Sequence, residues 1–220
     1  MLQKSLQPLS VANVKQAIKE DILVVDTRSE GAFADGFIPG SVFIGLEGRF
    51  AEWAGSLLDF EKPIILVTDT GKEKEAIIRL ARVGFSKVNG YLDGGFAAWV
   101  ASGEPIDMVI GVEADELAMD LPFDKNLVVV DVRRPAEFAN GHVKDAQNIP
   151  LEEMKDLANI SSLEETQNLY VHCAGGYRSL IAASLLKRQG MHNLRNVIGG
   201  WNKIKEETKI PTEKEDSVLN

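Results

Sequence analysis

Residues 168–190 read N-L-Y-V-H-C-A-G-G-Y-R-S-L-I-A-A-S-L-L-K-R-Q-G, and this stretch decides the fold around it. It opens with a short apolar run, residues 169–171, that is typical of a buried strand. From Ser179 the apolar residues recur at helical spacing, and Gly190 is a natural helix stop. Cys173, the only cysteine in the chain, therefore lies where a strand ends and a helix begins.

This position favours a thiolate at Cys173. The first N–H groups of a helix lack internal partners and carry the positive end of the helix dipole. Gly175 and Gly176 allow a tight turn in which successive N–H groups converge on an anion. Arg178 adds a permanent positive charge. We therefore predict a reactive cysteine; the alternative is a buried structural cysteine, the commoner fate of a lone thiol.

Length and composition describe an ordinary protein of one large or two small domains. The chain has 220 residues, of which 45% are hydrophobic and 26% charged. No apolar run approaches the roughly 20 residues of a membrane span, and the N-terminus lacks a signal-peptide core, so we expect a cytoplasmic protein. The net charge of −9 argues against nucleic acid or a membrane as partner. The three histidines are not spaced as metal ligands, so we expect no metal and no cofactor.

The chain repeats itself. Residues 22–28 read I-L-V-V-D-T-R and residues 127–133 read L-V-V-V-D-V-R, with Asp26 and Asp131 standing 105 positions apart. The same offset pairs Arg28 with Arg133, Phe33 with Phe138, Gly36 with Gly141 and Gly94-Gly95 with Gly199-Gly200. A register that recurs in this way marks a duplication. We predict two domains, residues 1–108 and 109–220, with a short linker: residues 103–105 end the first copy, and residues 110–111 precede the second.

Each copy alternates helix and strand signals. In the first copy, Ser10 can cap a helix over residues 11–19, which a strand over residues 22–25 follows. Further strands are predicted near 42–44, 64–68 and 88–92, with helices over 48–58 and 75–83. Short apolar strands separated by helices predict an α/β fold with a mainly parallel sheet and helices on both faces. Ligands in such sheets bind beyond the carboxyl ends of the strands, where Cys173 lies. We expect the last residues of the charged tail to be mobile.

Three motifs resemble those of the rhodanese family. They are D-x-R…G-H-V over residues 131–143, the loop C-A-G-G-Y-R at 173–178 followed by Ser179, and G-G-W at 199–201. The resemblance implies two tandem domains, each with a five-stranded parallel sheet, and sulfur transfer through a cysteine persulfide. Thiosulfate or another persulfide would be the small anionic donor, and a thiol or cyanide the acceptor. The pair also resembles the C-terminal half of fusions with a metallo-β-lactamase-fold persulfide dioxygenase, which makes such a dioxygenase a candidate partner.

The resemblance assigns roles within the loop. Cys173 is similar to the family nucleophile, which takes up the outer sulfur of a donor. Backbone N–H groups would hold the persulfide, those of Ala174, Gly175, Gly176, Tyr177 and Ser179 among them. Arg178 would orient an anionic donor, the alternative being a salt bridge at the helix start. Tyr177 would also shape the mouth of the pocket.

The first copy departs from this pattern. After a one-residue slip in the repeat, Asp69 aligns with Cys173 and Lys74 with Arg178. A carboxylate cannot carry sulfane sulfur, although it can accept the loop N–H bonds itself. We therefore predict that domain 1–108 is inactive. Because both copies keep the D-x-R pair, Asp131 and Arg133 are interpreted as a structural ion pair.

Two other functions stay open for the second copy. The first is a phosphatase or arsenate reductase on the same fold, although those relatives use a loop one residue longer. The second is a non-catalytic sulfur-carrier or binding module, which the thiol and the arginine of the loop argue against.

Overall fold

The computed structural model describes residues 5–215, and this part of the chain alternates strands and helices as the sequence predicts. It divides into two compact units on either side of the bond between Met108 and Val109. They are called here the first and the second unit. Each is built around its own five-stranded sheet.

The first unit has a parallel sheet in the order β1-β5-β4-β2-β3. Its strands are β1 (Pro8–Leu9), β2 (Leu23–Asp26), β3 (Val42–Phe43), β4 (Ile64–Val67) and β5 (Val88–Leu92). Its helices are α1 (Val11–Lys19), α2 (Glu30–Asp35), α3 (Phe50–Leu57), α4 (Glu73–Arg82) and α5 (Gly95–Ala101). The central strand β4 is buried along its whole length, as an all-parallel sheet covered by helices requires.

The second unit repeats this plan in the order β6-β11-β10-β7-β9, again with parallel pairs. Its strands are β6 (Ile110–Val112), β7 (Leu127–Asp131), β8 (His142–Val143), β9 (Gln147–Asn148), β10 (Asn168–His172), β11 (Leu194–Val197) and β12 (Thr212–Glu213). Its helices are α6 (Ala114–Asp120), α7 (Pro135–Ala139), α8 (Tyr177–Arg188) and α9 (Gly200–Ile204), with 3₁₀ turns at Leu151–Glu153 and Leu157–Ile160. Strands β12 and β8 form a separate antiparallel pair.

Local sequence signals explain where the helices start and stop. Ser10 caps α1 because its hydroxyl accepts the N–H of Asn13, while Val14 and Ala17 turn the apolar face into the core. Helix α8 ends at Arg188, and Gly190 follows in the left-handed region with φ of 91°. The predicted fold class, two mainly parallel five-stranded sheets with helices, is confirmed.

The differences lie in the shortest elements. Residues 110–111, which the sequence sets before the second copy, belong to its sheet, because with Val112 they form edge strand β6 beside β11. Strands β1 and β12 were also missed, since two residues are too few to show a periodicity. The predicted mobile end of the tail falls outside the described residues 5–215. Within that range, none of the helices is long and apolar enough to span a membrane.

Candidate active site

Cys173 lies directly after β10, in the turn that leads into α8, as the sequence predicts. Its side chain is buried, and its Sγ accepts a hydrogen bond of 3.1 Å from the N–H of Gly176. The loop of residues 173–178, called here the cysteine loop, thus folds back so that a backbone donor points at sulfur. Such a donor stabilises negative charge on the sulfur.

Ser179 stands under the cysteine loop and is fully buried. Its hydroxyl lies 2.7 Å from the carbonyl oxygen of Gly176 and 3.6 Å from Sγ of Cys173. A serine hydroxyl has one proton, so in this geometry it donates to the nearer carbonyl oxygen. By rotation of the hydroxyl it can donate to the sulfur instead. Ser179 therefore fixes the loop and supplies a second polar group beside the thiol.

The G-G-W segment holds the same loop from the other side. The N–H of Trp201 donates to the carbonyl of Cys173 at 2.7 Å, and the N–H of Asn202 donates to that of Ala174 at 3.1 Å. This approach requires glycine at position 200, where φ is 54° and a Cβ would lie 2.3 Å from the Cys173 oxygen. The sequence motif is therefore a backbone clamp on the cysteine loop.

His172 directly precedes Cys173, and its ring contacts the backbone of that residue. Its Nδ1 lies 3.2 Å from the carbonyl oxygen of Cys173, and its Nε2 is buried without a hydrogen-bond partner, 3.7 Å from Oδ2 of Asp131. Burial lowers the pKa of His172, so the ring is neutral at physiological pH. We assign it a packing role beneath the loop.

Asp131 and Arg133 form the buried ion pair that the repeat predicted. Arg133 Nη2 lies 2.5 Å from Asp131 Oδ2 and also donates to the carbonyl of Gly141, and its guanidinium stacks over Trp201. In the first unit, Arg28 pairs with Asp26 at 2.7 Å and binds the carbonyl of Gly36 in the same way. A pair that both units share is structural, since only the second unit has a thiol.

Arg178 is engaged by Glu137 of α7. Its Nη1 donates to Oε2 at 2.7 Å and its Nη2 to Oε1 at 2.8 Å, a two-pronged contact between arginine and carboxylate. The hydrogen bond from Arg178 is the main cause that lowers the pKa of Glu137 to about 2. The reciprocal bond raises the pKa of Arg178, with smaller contributions that include the Cys173 side chain. The guanidinium is thus near the thiol. Its two terminal nitrogens, called here the Arg178 fork, already donate to Glu137.

The remaining predicted loop residues lie at the surface side of the site. Gly175 is exposed, while Ala174 and Tyr177 are half-buried. The loop thus places Cys173, Gly176 and Ser179 together around sulfur. Sequence reasoning missed Glu137 altogether. The repeat held a signal, because Ala32 stands at the corresponding position of the first copy, which also lacks the arginine.

The prediction that Asp69 of the first unit stands at the position of Cys173 is wrong. Strand pairing matches Val67 with Asp26 and His172 with Asp131, so the residue after Val67, Thr68, stands where Cys173 does. Thr68 is buried like Cys173, whereas Asp69 is exposed.

The slip arises inside the loop of the first unit. Helix α4 begins at Glu73, six residues beyond Val67, whereas α8 begins at Tyr177, five residues beyond His172. Because of this extra residue, an alignment that starts from the two helices and counts backwards places Asp69, and not Thr68, opposite Cys173. The N–H of Gly71, which corresponds to that of Gly176, donates to the Glu73 carboxylate. A carboxylate does satisfy a loop donor, but it belongs to Glu73.

Both halves of the chain match the family model of the rhodanese-like domain, over residues 10–102 and 113–207. The chain therefore belongs to the rhodanese-like family. Among residues 5–215, no group of three or more histidine, cysteine, aspartate or glutamate side chains could hold a metal ion.

Parts of the chain also resemble individual proteins. A 75-residue stretch is 36% identical to the uncharacterized protein YqhL of Bacillus subtilis, covering 34% of this chain and 58% of the relative. A 74-residue stretch is 32% identical to the thiosulfate sulfurtransferase GlpE of Stutzerimonas stutzeri, covering 34% and 66%. The crystal structure of a rhodanese-like domain protein from Staphylococcus aureus matches with a TM-score of 0.43 and 29% identity, covering 49% of this chain and 100% of that one. The chain spans about three fifths of the length of these curated relatives. The family match covers both halves of the chain, and one of these relatives is named a thiosulfate sulfurtransferase.

Proposed function

We propose that the protein is a sulfurtransferase that moves sulfane sulfur from thiosulfate or a persulfide to a thiol or cyanide through a persulfide on Cys173. The observation that carries the proposal is the N–H of Gly176, 3.1 Å from Sγ in a loop that starts a helix. A backbone donor and a helix N-terminus beside a cysteine are the setting of reactive cysteines that attack sulfur. A persulfide dioxygenase, which handles persulfides, is the proposed partner by resemblance.

The chemistry needs no oxidant. With thiosulfate, the Cys173 thiolate attacks the outer sulfur, a new S–S bond forms, and sulfite leaves with the electron pair of the old bond. With a persulfide RSSH, the same attack gives Cys173-SSH and the thiolate RS⁻. The acceptor then attacks the outer sulfur and releases the Cys173 thiolate. The N–H of Gly176, which donates to Sγ, would hold the anion in both half-reactions.

Mass spectrometry of the intact protein tests the proposal. Incubation with thiosulfate or glutathione persulfide should add about 32 Da, the mass of one sulfur, and cyanide should remove it with release of thiocyanate. Cys173→Ser should abolish both the adduct and turnover. Turnover that survives this substitution, or hydrolysis of a phosphate ester without sulfur uptake, would refute the persulfide mechanism.

A further inference from the structure

Two arginines of the second unit, one in the cysteine loop and one at the start of α7, pair with glutamates. Arg178 pairs with Glu137 in a two-pronged contact, and Arg134 Nε lies 3.4 Å from the Glu152 carboxylate. Glu152 also acts on Arg178 electrostatically. The Arg178 guanidinium, the only charged side chain of the cysteine loop, is thus already paired with a carboxylate.

Glu137 is held in place by more than its ion pair. Its Oε2 also accepts the N–H of Arg134 at 3.2 Å, which is the backbone half of the capping box that starts α7. The carboxylate is therefore anchored to the start of a helix and not only to a mobile side chain. A donor that needs the Arg178 fork must displace a carboxylate with two independent supports.

We propose that Glu137 is a specificity-determining residue that selects organic persulfides over thiosulfate as sulfur donor. This inference rests on the proposed sulfurtransferase function. Thiosulfate is a compact dianion, and its sulfonate oxygens need a cationic fork that Glu137 already occupies. In an organic persulfide the reacting outer sulfur has no sulfonate group next to it, so its attack by Cys173, whose Sγ already accepts the N–H of Gly176, needs no cationic fork. Such a donor transfers sulfur without breaking the contact between Arg178 and Glu137.

The two donors form the same S–S bond with Cys173 and release different leaving groups. The Cys173 thiolate forms a bond to the outer sulfur of RSSH, the old S–S bond breaks, RS⁻ leaves with the electron pair, and the proton stays on the transferred sulfur. With thiosulfate the leaving group is sulfite, whose charge develops on the oxygens that Arg178 would bind. Only the second reaction gains when the fork is freed.

The test compares kcat/KM for thiosulfate and for glutathione persulfide in the full chain, with cyanide as acceptor. Glu137→Gln keeps the size of the side chain and can still accept the Arg134 N–H, but it removes the charge that holds Arg178. We expect wild type to prefer the persulfide, and the variant to raise the ratio of thiosulfate to persulfide kcat/KM about 10-fold or more, the effect of one charge-assisted hydrogen bond.

Glu152→Gln is the matched control, because it removes the same charge from the same neighbourhood without freeing the fork. Its ratio should change by clearly less than that of Glu137→Gln. An equal change in both variants would show that net charge, and not the occupied fork, sets the preference, and would overturn the inference. Should Glu137→Gln fail to fold, Glu137→Asp keeps the capping carboxylate but is one methylene too short for the two-pronged contact, and should shift the ratio in the same direction.

The outcomes separate this inference from the function on which it rests. Sulfur uptake by Cys173 from either donor, with an unchanged ratio in Glu137→Gln, overturns the role of Glu137 and leaves the sulfurtransferase intact. A wild-type preference for thiosulfate overturns it equally. Failure of Cys173 to take sulfur from both donors would overturn the sulfurtransferase itself, and the inference with it.

Discussion

Substituting Gly200 by alanine should test how the cysteine loop is held. The added Cβ would lie 2.3 Å from the carbonyl oxygen of Cys173 and 3.1 Å from the carbonyl carbon of Ala174. Both contacts are with backbone, so no side-chain rotation relieves them. The start of α9 must move away by about 1 Å to restore an ordinary contact distance.

The expected cost has two parts. An alanine at φ of 54° costs about 1 kcal/mol relative to glycine. Separation of α9 from the loop breaks the bonds from Trp201 and Asn202 to the loop carbonyls, each worth about 0.5–1.5 kcal/mol. The second unit should therefore lose about 2–4 kcal/mol. Because a displacement of about 1 Å at a reacting atom can cost roughly 100-fold in rate, sulfur uptake by Cys173 should fall by a similar factor.

Two glycines of the first unit provide graded controls. Gly103 has φ of 73°, and a methyl group added there would meet nothing within 4 Å, so Gly103→Ala tests backbone strain alone. Gly95 has φ of 59°, and its Cβ would lie 3.1 Å from the Thr68 oxygen, so Gly95→Ala adds a mild contact. Both substitutions should cost about 1–2 kcal/mol in the first unit and leave sulfur transfer unaffected.

Amide hydrogen exchange of the full chain, followed by mass spectrometry of peptides, assigns each loss of stability to its unit. The rate of the mass gain of about 32 Da measures the chemistry in the same samples. A Gly200→Ala protein that is destabilised no more than Gly103→Ala and takes up sulfur at the wild-type rate would refute the clamp.

Three further predictions concern the ion pairs and the first unit. Asp131→Asn should destabilise the second unit by about 3–5 kcal/mol because it leaves a buried arginine unpaired, and Asp26→Asn should do the same to the first unit; strongly unequal losses in urea unfolding would contradict an equivalent role. Thr68→Cys in a Cys173→Ser background should gain no sulfur by mass spectrometry, since a glutamate already occupies the loop donor there; an adduct of about 32 Da would show that only the thiol was missing. The stability that Glu137 contributes should be complete above its unfolded pKa of about 4.5 and disappear as pH falls toward 2, its folded pKa; unfolding free energies of wild type and Glu137→Gln that stay parallel down to pH 2 would contradict this.

The sequence alone predicts most of the fold. Strands of four or five apolar residues and a capped amphipathic helix are local features, and the duplication confirms each by a second example. Edge strands β1 and β6 have no such pattern, because their two or three residues are held by a neighbour and not by their own periodicity.

The sequence predicts those contacts of the site that join residues close together in the chain. The cysteine and the loop donor are three residues apart, so spacing alone placed Cys173 beside Gly176. The contact of Arg178 with Glu137 spans 41 residues and depends on how the sheet is wound. The sequence therefore leaves a salt bridge of Arg178 open as an alternative but cannot name its partner. The error at Asp69 has the same origin, because a one-residue difference in loop length is visible only once the strands are paired.

The backbone clamp on the cysteine loop also sets the order in which the site is completed. Two of the groups that hold the cysteine loop, the N–H groups of Trp201 and Asn202, come more than two dozen residues after Cys173 in the chain. During synthesis the thiol therefore leaves the ribosome before its own support does. The only cysteine of the chain gains this part of its support only when α9 docks. A truncation before that helix should leave a chain that carries the thiol but presents it as an ordinary, unoriented one.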